Sequence, residues 1–277
     1  MFAELRKKTG KLLAFGAGVC RGALRRARYC GWKSAWIHVR AALTDFYIRQ
    51  REKAMRAPRV ECPCCGWTGY DFYSMDGVFF YLPHVHCPQC RGCERHRMLQ
   101  LYISRHDAAL LERAGCVLHV APDREGNLRA LIEHGRRLRV FATDMQPRML
   151  EGQPGPRFLS DVRRLPVKSG SFDAVFCIHV LEHIREDKAA IAELHRILRP
   201  GGVAYIMAPF VPGISASYAR DEPDPIDHIW MYATNDFKHR LNCFQVEEIT
   251  PKSFLSPAEI RRHRIPDREI IYRCVKG

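Results

Sequence analysis

Apolar and polar positions along the chain fall into three blocks. In the first, residues 1–57, Trp32, Trp36, Val39, Leu43 and Phe46 recur at three- and four-residue spacing, with Lys33, Arg40, Arg49 and Arg51 off that stripe. This period predicts an amphipathic helix, either lying on an anionic lipid surface or packing its apolar stripe on protein. In the second, residues 58–97, the stretch holding Tyr70, Phe72, Tyr73, Val78, Phe79, Phe80 and Tyr81 breaks at Asp76-Gly77, which fits a short β-hairpin. The third, residues 98–277, alternates apolar runs with helical patterns. Val117–Ala121 reads as a buried strand, Leu128–Ile132 as helix, Val140–Ala142 as a strand ending at Thr143-Asp144, and Phe172–Ile178 as a further strand. Asp187–Leu198 is helical, with Ile191, Leu194, His195 and Leu198 on one face. Arg199-Pro200-Gly201-Gly202 stops that helix before a strand over Val203–Met207. Strands alternating with helices imply βαβ units and a mostly parallel sheet, which binds ligands beyond the carboxyl ends of its strands.

Charge sharpens this division. The 277 residues carry 44 Lys+Arg against 30 Asp+Glu, a net charge of +14. Residues 1–57 hold 14 basic and 3 acidic residues, a balance of +11; the other 220 hold 30 and 27, a balance of +3. The basic segment calls for an anionic partner, and the rest of the chain is nearly neutral. No run reaches the roughly 18 apolar residues of a membrane span. Leu12–Cys20 is a poor signal-peptide core, because it contains two glycines and runs into Arg21, Arg25, Arg26 and Arg28. With 47% hydrophobic residues the chain can bury a real core without disulfide staples.

Four of the 12 cysteines form two Cys-x-x-Cys pairs, Cys62/Cys65 and Cys87/Cys90, with 21 residues between them. Two such turns can present four thiolates to a tetrahedral Zn²⁺, a zinc-ribbon pattern; a redox or merely buried cysteine cluster is the alternative. Cys64 and Cys93 blur the register, since Cys90 and Cys93 also make a Cys-x-x-Cys pair, and His84, His86 and His96 are candidate substitutes. A closed four-ligand site has no open coordination position, so its expected role is folding.

Ser160-Asp161-Val162, Leu165-Pro166, Gly170–Val175, His179-Val180-Leu181-Glu182-His183-Ile184 and Leu198–Gly202 follow in an order and spacing that resemble the central stretch of class I S-adenosylmethionine-dependent methyltransferases. The chain also resembles a bacterial subgroup in which a zinc ribbon precedes that domain, through Cys62-Pro63-Cys64-Cys65-Gly66, Cys87-Pro88-Gln89-Cys90 and Arg95-His96-Arg97. The resemblance implies a Rossmann-like, seven-stranded, mostly parallel α/β sheet over residues 98–277, behind a ribbon at 58–97 and a basic helical segment at 1–57. It makes Cys62, Cys65, Cys87 and Cys90 ligands of a structural zinc ion and leaves Cys64 and Cys93 as non-ligands. S-adenosylmethionine is the implied cofactor. Asp144 would bind its ribose, Asp161 its adenine amino group beside Val162, and Ile178 and His179 would lie under its methionine part. His119, Ala121 and Pro122 on the first strand and turn, and Met145 after Asp144, complete the expected contacts. One departure stands out: Ala121, Asp123 and Glu125 occupy the places of a Gly-x-Gly-x-Gly turn, and His119 that of an acidic residue.

Methyl transfer needs alignment and water exclusion, and a base only where the acceptor loses a proton. Candidate groups are His179 and His183 after the fourth strand, and Asp227-His228 with Tyr232 beyond the Pro/Asp-rich segment Asp221–Pro225, a candidate lid. The expected function is methylation of a small-molecule, glycan or lipid-linked acceptor by a cytoplasmic enzyme, peripheral at the inner face of the membrane through its basic segment. Two alternatives stand. One is an RNA methyltransferase clamping RNA with the ribbon, Arg95-His96-Arg97 and the basic N-terminal arm; the other is a non-catalytic module on a degenerate fold.

Overall fold

The computed structural model describes residues 2–109, 115–123, 138–153, 155–224 and 226–277, with side chains from residue 14 onward. The helix expected at Leu128–Ile132, Glu125 of the first turn and Pro225 of the candidate lid lie outside the described residues. The chain forms two compact units, one of residues 1–61 and 67–88, the other of residues 62–66 and 89–277.

In the first unit, helix α1 (Phe2–Ala54) reverses at Gly31, whose φ of 81° and ψ of 166° only glycine adopts cheaply. The arms fold back on each other: Phe15 stacks on Phe46 with ring centroids 4.8 Å apart. Strands β1 (Val60–Glu61) and β2 (Thr68–Gly69) pair antiparallel, as do β3 (Tyr73–Asp76) and β4 (Tyr81–His86), whose turn is closed by Gly77 N donating to Phe80 O. The hairpin forms where the Asp76-Gly77 break predicts it. Helix α1 grips it: Asp45 Oδ1 accepts from Ser74 N at 2.8 Å, Thr44 Oγ1 and Tyr81 Oη are 2.7 Å apart, and Arg26 pairs with Asp76 at 2.9 Å.

The stripe read as one apolar face is divided. Phe46 turns inward, whereas Trp32, Trp36 and Leu43 are 75%, 68% and 55% exposed. The basic residues are divided too, because Arg40 and Arg49 lie over the rings of Tyr81 and Tyr73 at 4.5 and 5.2 Å. Packing chose Ser34, Ala35, Ala41 and Ile48 for burial, small or slender residues that let the helix approach its neighbours closely.

The second unit holds helix α2 (Glu94–His106) and a seven-stranded sheet. Its strands are β5 (Cys116–Val120), β6 (Arg139–Asp144), β7 (Arg157–Leu159), β8 (Phe172–Ile178), β9 (Leu198–Met207), β12 (Gln245–Ile249) and β13 (Ile271–Val275), in the order β12-β13-β9-β8-β5-β6-β7. The two-stranded pair β10 (Tyr218–Ala219) and β11 (Trp230–Met231) lies outside that sheet. All pairs from β9 to β7 are parallel; β13 runs antiparallel to both β9 and β12. Alternate side chains feed two cores. Leu118, Val120, Val175 and Cys177 meet helix α3 (Asp187–Ile197) through Ala190, Ile191, Leu194 and Ile197. Val117, Ala174, Phe176 and Ile178 meet α2 through Met98, Leu99, Tyr102 and Ile103.

This is the expected Rossmann-like fold, with two corrections of boundary. Strand β9 starts at Leu198 rather than Val203, since the Arg199–Gly202 turn is part of the strand. The division drawn at 97/98 falls inside α2: Arg95-His96-Arg97, read as the tail of a ribbon, sits in the first turns of a helix of the sheet-bearing unit.

Candidate active site

The carboxyl ends of β5, β6 and β8 open on a cavity of about 660 Å³. Ala121, Asp144, Met145, Asp161, Val162 and His179 line it, which brings together six of the residues expected around a cofactor. At the end of β5 the chain turns through Ala121 with φ of 46°, the left-handed conformation that glycine usually supplies. The turn is held from two sides. Ala121 N donates to Thr143 O at 2.8 Å, and the Asp123 carboxylate meets Arg95 Nη2 at 2.9 Å and His96 Nε2 at 3.0 Å. Burial acts to raise the Asp123 carboxyl, but the His96 hydrogen bond and the Arg95 charge outweigh it and hold it below the usual carboxylate range.

Asp144 ends β6, its Oδ1 accepting from Gln146 N at 2.7 Å. Asp161 follows β7 and is engaged by Arg163, whose Nε lies 3.0 and 2.9 Å from the two carboxylate oxygens. The Arg163 hydrogen bond lowers the Asp161 carboxyl, and Arg163 also pairs with Glu186. Asp161 therefore reaches the cavity already bonded to an arginine.

His119, Pro122 and Ile178 are not on the cavity wall. Ile178 and His119 are buried in the sheet, the His119 ring edge-on to Phe176 at 6.4 Å. Burial pushes His119 down to about 4; Asp123 works weakly against that and His96 with it. Between pH 6.5 and 4 the unfolded chain takes up a proton that the folded chain refuses, so stability falls as pH falls. At about 1.4 kcal/mol per unit the loss reaches about 3 kcal/mol by pH 4. Denaturant midpoints measured from pH 7 to pH 4 should show a shallower decline in His119→Asn than in wild type; parallel curves would refute this.

Beyond β8 lies a second constellation. His179, at φ of 54°, and the 3-10 turn Leu181–His183 bring Glu182 under three imidazoles: His179 Nδ1 at 3.7 Å, His183 Nε2 at 3.8 Å and His228 Nε2 at 4.0 Å from Oε1. Glu182 is fully buried, and neither carboxylate oxygen has a hydrogen-bond partner among the described residues. Burial pushes its carboxyl up to about 8, drives His179 well below its usual value and, together with the nearby His183, lowers His228.

The structure departs from the expected catalytic set. Tyr232 is fully buried, its hydroxyl donating to Asp187 Oδ2 at 2.9 Å with Leu181 O at 3.1 Å, so it belongs to the core. Asp227 does not orient His228; it presents its backbone oxygen to His183 Nδ1 at 2.8 Å. The carboxylate beside His228 is Asp224, with Oδ2 3.8 Å from Nδ1. Sequence reasoning passes over Glu182, Asp123, Arg163 and Asp224, because a charged residue in a polar loop carries no mark of the partners the fold will bring to it. The one available signal was a carboxylate with histidines at −3 and +1.

The sulfurs of Cys62, Cys65, Cys87 and Cys90 all lie within 4.8 Å of one another, and Cys62 and Cys90 are 3.7 Å apart. Four thiolates on one zinc at about 2.3 Å would be about 3.8 Å apart. His84 faces Asp71 and His96 faces Asp123, and burial pushes the Cys93 thiol up to about 12.

Residues 118–206 match the family described as "Methyltransferase domain". Over 44 residues the chain is 43% identical to an uncharacterized 37.1 kDa protein in transposon TN4556 of Streptomyces fradiae, a stretch spanning 16% of this chain and 13% of that one. Among solved structures it resembles the [4+2]-cyclase SpnF, at 14% identity over 66% of this chain and 80% of that one, with a TM-score of 0.48. It also resembles an S-adenosylmethionine-dependent methyltransferase of Mesorhizobium loti, at 13% identity over 59% and 91%, with a TM-score of 0.44. The matched segment runs from β5 to β9 and carries the strand ends that open on the cavity, and it lies in a seven-stranded sheet with the Rossmann-like fold of class I methyltransferases.

Proposed function

We propose that the enzyme methylates a small-molecule, glycan or lipid-linked acceptor at an anionic membrane surface on the cytoplasmic side, with a structural zinc ion held by Cys62, Cys65, Cys87 and Cys90. The observation that carries the cofactor half is the cavity, whose size suits a small ligand and whose wall joins the Asp144 carboxylate to the apolar Val162, Met149 and Ile184. S-adenosylmethionine supplies an electrophilic methyl group on a sulfonium centre. Asp144 would accept hydrogen bonds from its ribose hydroxyls, and the turn at Ala121 would let backbone approach it. The left-handed Ala121 speaks against a degenerate site, since the backbone keeps the glycine conformation without the glycine. On the acceptor side His179 lines the cavity, kept neutral by burial, with Nε2 lacking a hydrogen-bond partner among the described residues. It is the group placed to take a proton from an acceptor hydroxyl or ammonium.

The RNA reading loses one of its three supports. Arg95 and His96 are committed to Asp123, and Arg97 is fully buried, so none of the three offers a free charge to phosphate. The membrane half rests instead on the exposed Trp32 and Trp36 beside the exposed Arg25, Arg28 and Lys33.

Calorimetric titration with S-adenosylhomocysteine tests the cofactor half. Binding by wild type and a 10- to 100-fold weaker affinity in Asp144→Ala are expected, since hydrogen bonds to a charged group contribute about 1.5–3 kcal/mol. Equal affinities would remove Asp144 from the site, and no binding by wild type would overturn the reading.

A further inference from the structure

The cluster behind β8 is a poor hydrogen-bonding arrangement and a good coordinating one. A carboxylate sealed from water, with no donor on either oxygen among the described residues, is costly to keep, and it calls for a cation or a proton. The gaps of 3.8 and 4.0 Å from Glu182 to His183 and His228 exceed hydrogen-bond length. Two ligands each about 2.1 Å from one ion can stand up to about 4.2 Å apart, so the same gaps suit a shared metal. One ligand atom from each of the three residues lies within 4.8 Å of the others, which small side-chain movements would close.

The far nitrogens of the two rings support this. His183 Nδ1 donates to Asp227 O at 2.8 Å, which leaves the Nε2 lone pair toward Glu182. His228 Nδ1 faces Asp224 Oδ2 at 3.8 Å, and Asp224 is fixed in turn by the backbone N–H groups of Ile226 and His228 at 2.9 and 3.0 Å. The carbonyl hydrogen-bonded behind the His183 ring is the kind of outer partner that metal-bound histidines use to set tautomer and orientation, and behind the His228 ring a carboxylate stands just beyond hydrogen-bond length. Sequence separation adds weight: Glu182 and His183 come from the turn after β8, His228 from the loop before β11, and Ile229 N donating to Glu182 O at 2.8 Å ties the two segments together.

We propose that Glu182, His183 and His228 form a binding site for a divalent transition-metal ion at the edge of the cavity, separate from the four cysteines. Two imidazoles and a carboxylate favour Zn²⁺, Co²⁺, Fe²⁺ or Mn²⁺ over Mg²⁺ and Ca²⁺, which prefer oxygen donors. Three protein ligands leave a coordination position open, and His183, on the cavity wall, turns that position to the ligand space. The class of ligand it takes is an oxygen donor, water or a substrate hydroxyl. That the hydroxyl is the methyl acceptor rests on the function proposed above.

Equilibrium dialysis of the full chain against micromolar Zn²⁺, followed by elemental analysis, should give two ions per chain. One should be lost in Glu182→Gln or His228→Asn and the other in Cys62→Ser. Co²⁺ gives the second signature: thiolate charge-transfer bands are lost in Cys62→Ser, and the visible ligand-field bands that remain in Cys62→Ser are lost when Glu182→Gln is added. Asp224→Asn should weaken the histidine-site ion by 10- to 100-fold. Should Glu182→Gln fail to fold, His183→Asn is the substitute, its side chain being 39% exposed. A second ion retained in the Glu182, His183 and His228 variants, or wild type holding no ion beyond the cysteine site, would overturn the proposal. Binding of S-adenosylhomocysteine by wild type reads the cofactor half separately, so either half can fail alone.

Discussion

Arg97→Leu is expected to unfold the sheet-bearing unit under conditions where wild type is stable. The guanidinium is fully buried, and its Nε, Nη1 and Nη2 donate to His263 O at 2.7 Å, Gly92 O at 3.0 Å and Arg264 O at 3.2 Å. Three carbonyls from two segments far apart in sequence, the loop before α2 and the end of helix α4 (Pro257–His263), thus share one planar donor. Leucine fills part of the volume and leaves those carbonyls without this donor. Each buried polar group stripped of a partner costs about 1–3 kcal/mol, so the loss is about 3–5 kcal/mol, a large part of the 5–15 kcal/mol that holds a domain together. Arg97→Lys should rescue little, because an ammonium cannot span a fork of three acceptors. Urea melts followed by far-UV circular dichroism measure this, and a wild-type midpoint in Arg97→Leu would show that the motif is not structural. The result also separates readings of Arg95-His96-Arg97: an RNA clamp would lose affinity and keep its stability, whereas a buried brace loses stability.

The same motif shows what the sequence can and cannot carry. Phe172–Ile178 is legible as a strand because seven residues of near-continuous apolar character suit a sheet covered on both faces, and the strand has those bounds. Asp144 and Asp161 are legible because each follows a short apolar run, where a parallel sheet places its ligand groups. Glu182 is not legible. Its carboxylate is buried by segments that come together only in the fold, and its histidine His228 lies 46 residues on, in a loop with no regular period. Tyr232 misleads for the opposite reason: a polar tip near two candidate bases suggests chemistry, but its ring packs at 4.7 Å on Phe237 and its hydroxyl is held by Asp187. The reversal at Gly31 escapes notice because one glycine inside an amphipathic run is tolerated in a helix, and only the pairing of Phe15 with Phe46 shows the chain turning back.

That reversal leads to the other large effect, on membrane binding. Trp32 and Trp36 stand just past the turn, with Leu24 and Tyr29 just before it, all exposed, and with Arg21, Arg25, Arg28 and Lys33 exposed among them. Among the described residues no helix is long and apolar enough to cross a membrane, so the contact these residues can make is interfacial. If half of each indole leaves water, about 80–100 Å² at about 25 cal/mol per Å², each ring contributes about 2 kcal/mol. Each basic residue near an anionic surface adds about 1 kcal/mol, and salt weakens that part. The double variant Trp32→Ser, Trp36→Ser should therefore partition into sedimented phosphatidylserine-containing vesicles roughly a thousandfold less than wild type. Arg25→Gln with Lys33→Gln should lose about thirtyfold, with a flatter response to salt. Both pairs lie outside the sheet-bearing unit, so S-adenosylhomocysteine affinity should not change. Partition that ignores the tryptophans but follows the charges would make the helices a purely electrostatic anchor; partition that ignores both would leave the exposed rings to a protein partner.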